Sequence, residues 1–256
     1  QINADELSGR VIIIPGMNYP AFKAGKRTSP IDGGNMNRVF PGNPEGTFTE
    51  KIADYFNRTL LPMADFVLDF HSGGKTLDFL PFCCAHVLDD KEQQEKCIAA
   101  MKAFNAPHSV MLLEIDAVNM YDTAAENMGK VFISTELGGG GSTTAYTVEV
   151  AKKGIRNILR HAGITQGDLE VDETLNLDMP DDNCYIFSES TGLVEHCVDL
   201  GDEVKSGQLI AKVHNIERTG SPPDKYHAKI DGIFTGKHFP GHIVNGDFLG
   251  VIAVPV

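Results

Sequence analysis

Through the first two thirds of the chain, short apolar runs of strand length alternate with segments whose apolar side chains recur at helical spacing. Such a chain buries its apolar surface by covering a sheet with helices, the layered arrangement of an α/β protein with a largely parallel sheet. The candidate strands are Val11 to Pro15, Phe66 to Phe70, Val110 to Leu113 and Val131 to Thr135. Thr47 and Glu50 have capping-box spacing, and Ile52, Ala53, Phe56 and Leu60 then fall on one helical face until Pro62 ends the helix. A second helix opens at Asp90. A third follows Gly138 to Gly141, with Val148, Ala151, Ile155, Ile158, Leu159 and Ala162 on one face until Gly163 stops it.

From about Thr165 the character changes. An acidic connector leads into short strands separated by Gly, Asp and Pro, so the expected divisions are 1–165 for the α/β part, 166–178 for the connector and 179–256 for a β-rich part. In this tail Gly192, Leu193, Gly201, Val204 and Leu209 recur forty positions later as Gly232, Ile233, Gly241, Val244 and Leu249. Two hairpin-rich halves of this kind resemble the barrel-sandwich fold of biotinyl and lipoyl carrier domains, each half supplying one sheet. A carrier needs a lysine on the hairpin between the halves, and here that stretch reads His214-Asn215-Ile216-Glu217-Arg218.

A formal net charge of −13 argues against nucleic acid or an anionic membrane as partner, because both would be repelled at long range. No stretch approaches the roughly 20 apolar residues of a membrane span, and no signal-peptide core is seen. The five cysteines form no CxxC pair, which points away from a disulfide framework or a thiolate zinc site and toward a reducing cytoplasm.

In open α/β sheets ligands bind beyond the carboxyl ends of the strands, so polar residues just after strands are the candidates for chemistry. The run Phe66 to Phe70 leads into His71-Ser72-Gly73-Gly74, where the glycines would let a substrate approach the backbone. A lone histidine in such a place is more often a hydrogen-bonded structural residue than a metal ligand. The run Val131 to Thr135 delivers Glu136 into Leu137-Gly138-Gly139-Gly140-Gly141, a position suited to a general base or, equally, to a carboxylate that merely solvates the sheet edge. A phosphate cradle is disfavoured because no Lys-Ser/Thr follows the glycines. The third place is the turn-rich stretch Asp32 to Gly42, where Asn37 and Arg38 together suit a planar carboxylate, although a surface salt bridge would explain the arginine as well.

Taken together, an Asn-Arg pair, Asp-Phe-His-Ser after a strand, Thr-Glu-Leu-Gly-Gly-Gly-Gly after a later strand and a β-rich tail resemble the succinylglutamate desuccinylase and aspartoacylase family, relatives of the zinc carboxypeptidases. The resemblance implies a mixed sheet flanked by helices and a zinc-dependent amidohydrolase. His71 would be the third zinc ligand, Asn37 and Arg38 the binders of the substrate carboxylate, Glu136 the residue that activates water, and Arg27 the nearest candidate to polarise the scissile carbonyl. The wording of Ser29 to Gly42 and Asp69 to Gly74 is most similar to the N-acetyl-2,4-diaminobutyrate deacetylases within that family. The expected partner is then a small N-acyl amino acid, and its free ammonium would need an acidic neighbour, for which Glu114, Asp116, Asp122 and Glu126 are candidates. Desuccinylase or aspartoacylase-like activity, a peptide-directed carboxypeptidase and a carboxylate-binding protein without zinc are the alternatives, and a homodimer is allowed.

A catalytic zinc needs about three protein ligands. The family's first two form a His-x-x-Glu pair upstream of the first strand, and the one such spacing in this sequence, His214 to Glu217, lies in the β-rich tail. The chain opens on Gln1 within a polar turn, so an upstream segment carrying the pair is expected, with His71 facing a cleft beside Glu136 and Arg38 and no complete zinc site within residues 1–256.

Overall fold

The computed structural model describes residues 3–113 and 117–256. In its first part helices α1 (Tyr19–Ala24), α2 (Phe48–Tyr55), α3 (Leu61–Met63), α4 (Lys91–Phe104), α5 (Tyr121–Glu126) and α6 (Ala145–His161) accompany strands β1 (Phe66–His71), β2 (Leu77–Phe79), β3 (Phe82–His86), β4 (His108–Leu112), β5 (Val131–Glu136) and β6 (Leu175–Met179). The Thr47–Glu50 capping box opens α2 and Asp90 caps α4, so both helix starts follow from side chains that satisfy otherwise orphaned amides.

The strands run in the order β1-β5-β3-β4-β6, all parallel to their neighbours except the antiparallel β3–β5 pair, giving the expected mixed sheet. Three of the four expected strands form. The run Val11 to Pro15 does not: it has no ladder, and Ile12, Ile13 and Ile14 are 42, 67 and 45 % exposed. Apolar content makes a run compatible with a strand, but only a neighbouring edge makes it one.

Helix α6 is turned from its expected orientation. Its buried positions are Thr147, Val150, Gly154, Asn157 and Ile158, while Val148 and Ile155 lie at 36 % exposure. The cause is Gly154: an added Cβ there would sit 2.2 Å from Cζ of the fully buried Phe104 on α4. The absent side chain lets the phenyl ring lie against the helix backbone, and that close approach sets which face turns inward.

The remaining strands are β7 (Tyr185–Phe187), β8 (Gly192–His196), β9 (Glu203–Val204), β10 (Leu209–His214), β11 (Asp224–His227), β12 (Gly232–His238), β13 (His242–Ile243) and β14 (Phe248–Pro255). The forty-residue repeat maps β8, β9 and β10 onto β12, β13 and β14. The halves do not each supply one sheet, because each middle strand crosses over: β9 pairs with β12, and β13 pairs with β8. The exchange closes a shared core of Val204, Ile210, Phe234, Ile243, Leu249 and Ile252. Strand β14 also pairs with β6, and β12 pairs with β2, so the main sheet is continuous with the tail.

Gly154→Ala should lower stability by about 1–3 kcal/mol, because overpacking against Phe104 outweighs the ~1 kcal/mol that alanine gains over glycine in a helix. Urea unfolding of G154A, F104L and the double variant measures the coupling. A stabilised G154A would mean the contact does not set the packing of α6.

Candidate active site

The parallel register of β1 and β5 sets Asp69 beside Ser134, Phe70 beside Thr135 and His71 beside Glu136. Since side chains alternate along a strand, Asp69, His71, Ser134 and Glu136 share one face of the sheet. Phe70 faces the other way and packs against Phe104 of α4, with ring centroids 6.2 Å apart. The patterns Asp-Phe-His and Ser-Thr-Glu are thus matched halves of one surface at the carboxyl ends of adjacent strands.

On that surface the Asp69 Oδ2 lies 2.7 Å from the His71 Nε2. No described residue bonds the other ring nitrogen. The imidazole is surrounded by protein yet 39 % accessible, as a side chain lining a cleft is. Desolvation pulls its pKa down, but the negative charges of Asp69, Glu136 and Asp122 and the Asp69 hydrogen bond outweigh it and raise the pKa to about 9. The surroundings therefore favour positive charge at this spot, which a proton on the imidazole or a cation bound to its open nitrogen supplies equally.

Glu136 is the counterpart. Its Oε2 is buried without a hydrogen-bond partner. Burial drives its pKa up, His71 and Arg27 oppose this, Asp69 adds to it, and the net value is about 7. Arg27, exposed on the segment after α1, is thereby within electrostatic reach of Glu136.

The glycines interlace two loops. Gly73 N donates to Gly138 O at 2.9 Å, and Gly140 N donates to Leu77 O at 3.0 Å. A Cβ on Gly139 would lie 1.9 Å from Leu77 O, and one on Gly73 would lie 2.3 Å from that same oxygen. At Gly73 the close approach expected of a substrate is made by the protein's own backbone. Leu77 belongs to β2, which β12 holds in place, and Phe239 N donates to Thr76 O at 2.9 Å, so the tail braces both loops.

Asn37 and Arg38 sit in a one-turn 3-10 segment, Met36–Arg38, capped by Asn35. Asp32 fixes the approach to this turn by accepting from Gly34 N, Thr49 N and Thr49 Oγ1. Burial resists its ionisation, but these bonds prevail and hold its pKa well below the usual carboxylate range. Asn37 Oδ1 accepts from Tyr121 N at 2.7 Å, which joins the turn to α5 and leaves the amide NH2 as a donor. Arg38 is exposed, and its Nη1 donates to the Asn37 carbonyl at 2.6 Å.

Among the acidic candidates, Glu126 is taken up by buried His86 at 2.8 Å and Asp122 is buried, while Glu114 and Asp116 lie outside the described residues. His214 bonds Glu195 at 2.7 Å across the β8–β10 pair and forms no unit with Glu217. Sequence reasoning missed Asp69 and Tyr121. The i, i+2 spacing of Asp69 and His71 within a strand was a usable signal, whereas nothing local foretold the Tyr121 contact.

The residues present fit one edge of a metal centre. His71 has one ring nitrogen oriented by a carboxylate and the other open, as metal-bound histidines do, and Glu136 stands beside it with an unpartnered oxygen. Among the described residues no group of three His, Cys, Asp or Glu side chains could hold a metal by itself.

Paired strand ends that set a histidine beside a carboxylate suit a hydrolytic deacylase, and the relatives of this chain are enzymes of that class. The chain belongs to the succinylglutamate desuccinylase/aspartoacylase family, whose catalytic-domain model matches residues 1–162. It is 51 % identical over 255 residues to the N-alpha-acetyl-L-2,4-diaminobutyric acid deacetylase of Halomonas elongata, covering 99 % of this chain and 75 % of that relative. The product-bound structure of the ectoine utilization protein EutE (DoeB) from Ruegeria pomeroyi is 61 % identical with a TM-score of 0.96, over 98 % of this chain and 76 % of that one. A succinylglutamate desuccinylase from Silicibacter sp. TM1040 is 58 % identical with a TM-score of 0.95, over 99 % and 77 %.

The raised pKa of Glu136 has a consequence for stability. Its folded value near 7 lies above the ordinary 4.5, so stability falls as pH rises from about 4.5 to 7 and the penalty persists above. In chelator-stripped protein, Glu136→Gln should therefore be more stable than wild type at pH 8, by on the order of 1–3 kcal/mol, with the gap closing by pH 4.5. Urea titrations at both pH values check this. A pH-independent gap would place the carboxylate in a solvated setting.

Proposed function

We propose that the chain is a zinc-dependent deacetylase of N-acyl amino acids, with N-acetyl-2,4-diaminobutyrate as the substrate class. The reading is carried by the His71–Glu136 register pair on a chain that aligns over 99 % of its length with a deacetylase of that name. When bound, zinc supplies a Lewis acid that polarises the acyl carbonyl. His71 would hold the metal through its open ring nitrogen, with Asp69 fixing the ring. Glu136, with a pKa near 7, takes the proton of the attacking water and returns it to the departing amine, so one carboxylate serves both transfers. Arg27 steadies the carbonyl oxygen as negative charge gathers on it. The Asn37 amide and the Arg38 guanidinium hold the substrate carboxylate, which orients the acyl group toward Glu136.

In this reading residues 1–165 carry the chemistry, 166–178 connect and end in strand β6 of the main sheet, and 179–256 brace the site loops. The five free cysteines agree with a cytoplasmic enzyme, and among the described residues no helix is long and apolar enough to cross a membrane.

Zinc-loaded protein should release acetate from Nα-acetyl-2,4-diaminobutyrate in preference to N-acetylaspartate or N2-succinylglutamate. Glu136→Gln should lose at least about a hundredfold in kcat, the scale of general-base removal, while keeping its metal. Wild-type kcat in that variant would remove Glu136 from the chemistry.

A further inference from the structure

The 2,4-diamino acid proposed above differs from other N-acyl amino acids in carrying a free ammonium, and a selective site must pair that charge. The amide, the carboxylate and the aminoethyl arm all leave one carbon, and three bonds of about 1.5 Å put the ammonium roughly 4 Å away. Its partner must therefore stand next to both the carboxylate-binding turn and the strand ends.

The first turn of α5 lies between the carboxylate-binding turn and the face of the β1–β5 pair that carries His71 and Glu136. Tyr121 N is bonded to Asn37 Oδ1 at 2.7 Å, and the Tyr121 ring packs on Phe40 beyond Arg38 (centroids 5.0 Å apart) and on Phe132 of β5 (5.9 Å). The next residue, Asp122, is only 9 % exposed. Its Oδ1 accepts from Thr123 N at 2.5 Å and Thr123 Oγ1 at 3.2 Å. Its Oδ2 has no partner among the described residues and is not sealed from solvent. No described lysine or arginine bridges to it, whereas Glu126 is occupied by His86 and Asp69 by His71. Asp122 lies within electrostatic reach of both His71 and Cys84, and Cys84 Sγ sits 3.0 Å from Ser134 Oγ, so the carboxylate stands on the His71 face of the sheet and not on an outer face.

We propose that Asp122 is the specificity residue of this site, its Oδ2 receiving the free ammonium of the diamino acid substrate. A buried carboxylate with one oxygen tied back and one open is held in place before substrate arrives, and a substrate lacking the ammonium leaves it unpaired. That asymmetry discriminates more strongly than an apolar pocket does. The inference rests on the substrate proposed above.

The test measures kcat/KM of the zinc-loaded protein for Nα-acetyl-2,4-diaminobutyrate and for Nα-acetyl-2-aminobutyrate, which lacks the ammonium. Wild type should prefer the first. Asp122→Asn should lower kcat/KM for the diamino substrate at least about 30-fold while leaving the uncharged one within about 3-fold, so the preference collapses. Asp122→Ser, which keeps an acceptor for Thr123 N, should behave alike if the amide disturbs folding. A preference retained in both variants would overturn the role of Asp122. A wild-type enzyme with no preference would overturn the substrate assignment, and this inference with it.

Discussion

Parallel pairing of β1 with β5 in one register brings His71 and Glu136 side by side, and the rest of the site is arranged around that contact. A slip of one residue would turn Asp69 and His71 to the helix layer and bring Phe70 to the cleft. The register is held from both faces. Behind the sheet, Phe70 packs on Phe104, which itself lies in the gap left by Gly154. Beyond the strand ends, Leu137 N donates to His71 O, and the loops interlock through Gly73, Leu77 and Gly139.

The tail shares in this support. Because β12 continues the sheet from β2, the backbone oxygen of Leu77 is fixed by residues more than 150 positions away in sequence. The crossed middle strands of the repeat make the tail a single closed core, which suits a brace better than two loosely joined hairpins would.

The placement of the candidate site residues was legible in the sequence because they sit at strand ends or in a turn-rich loop, where local patterns carry meaning. His71, Glu136 and Asn37 lie where local pattern marked chemistry, and the capped starts of α2 and α4 follow from Thr47 and Asp90. Long-range contacts were hidden. The apolar run Val11 to Pro15 read as a strand because composition carries no information about a missing edge. The inward face of α6 was misjudged because Gly154 counts as neither apolar nor polar in a periodicity, yet its lack of a side chain decides the packing. Strand β6 was obscured by the acidic stretch around it, and the tie between Asn37 and Tyr121 spans 84 positions.

In the proposed function His71 holds the catalytic metal beside Glu136. The most direct measurement is zinc content of the natural protein after dialysis, by elemental analysis, for wild type, His71→Ala and Glu136→Gln. The account predicts about one zinc per chain in wild type and in Glu136→Gln, with His71→Ala retaining less than roughly a tenth, since a catalytic zinc rests on about three protein ligands. Full zinc occupancy in His71→Ala would contradict it.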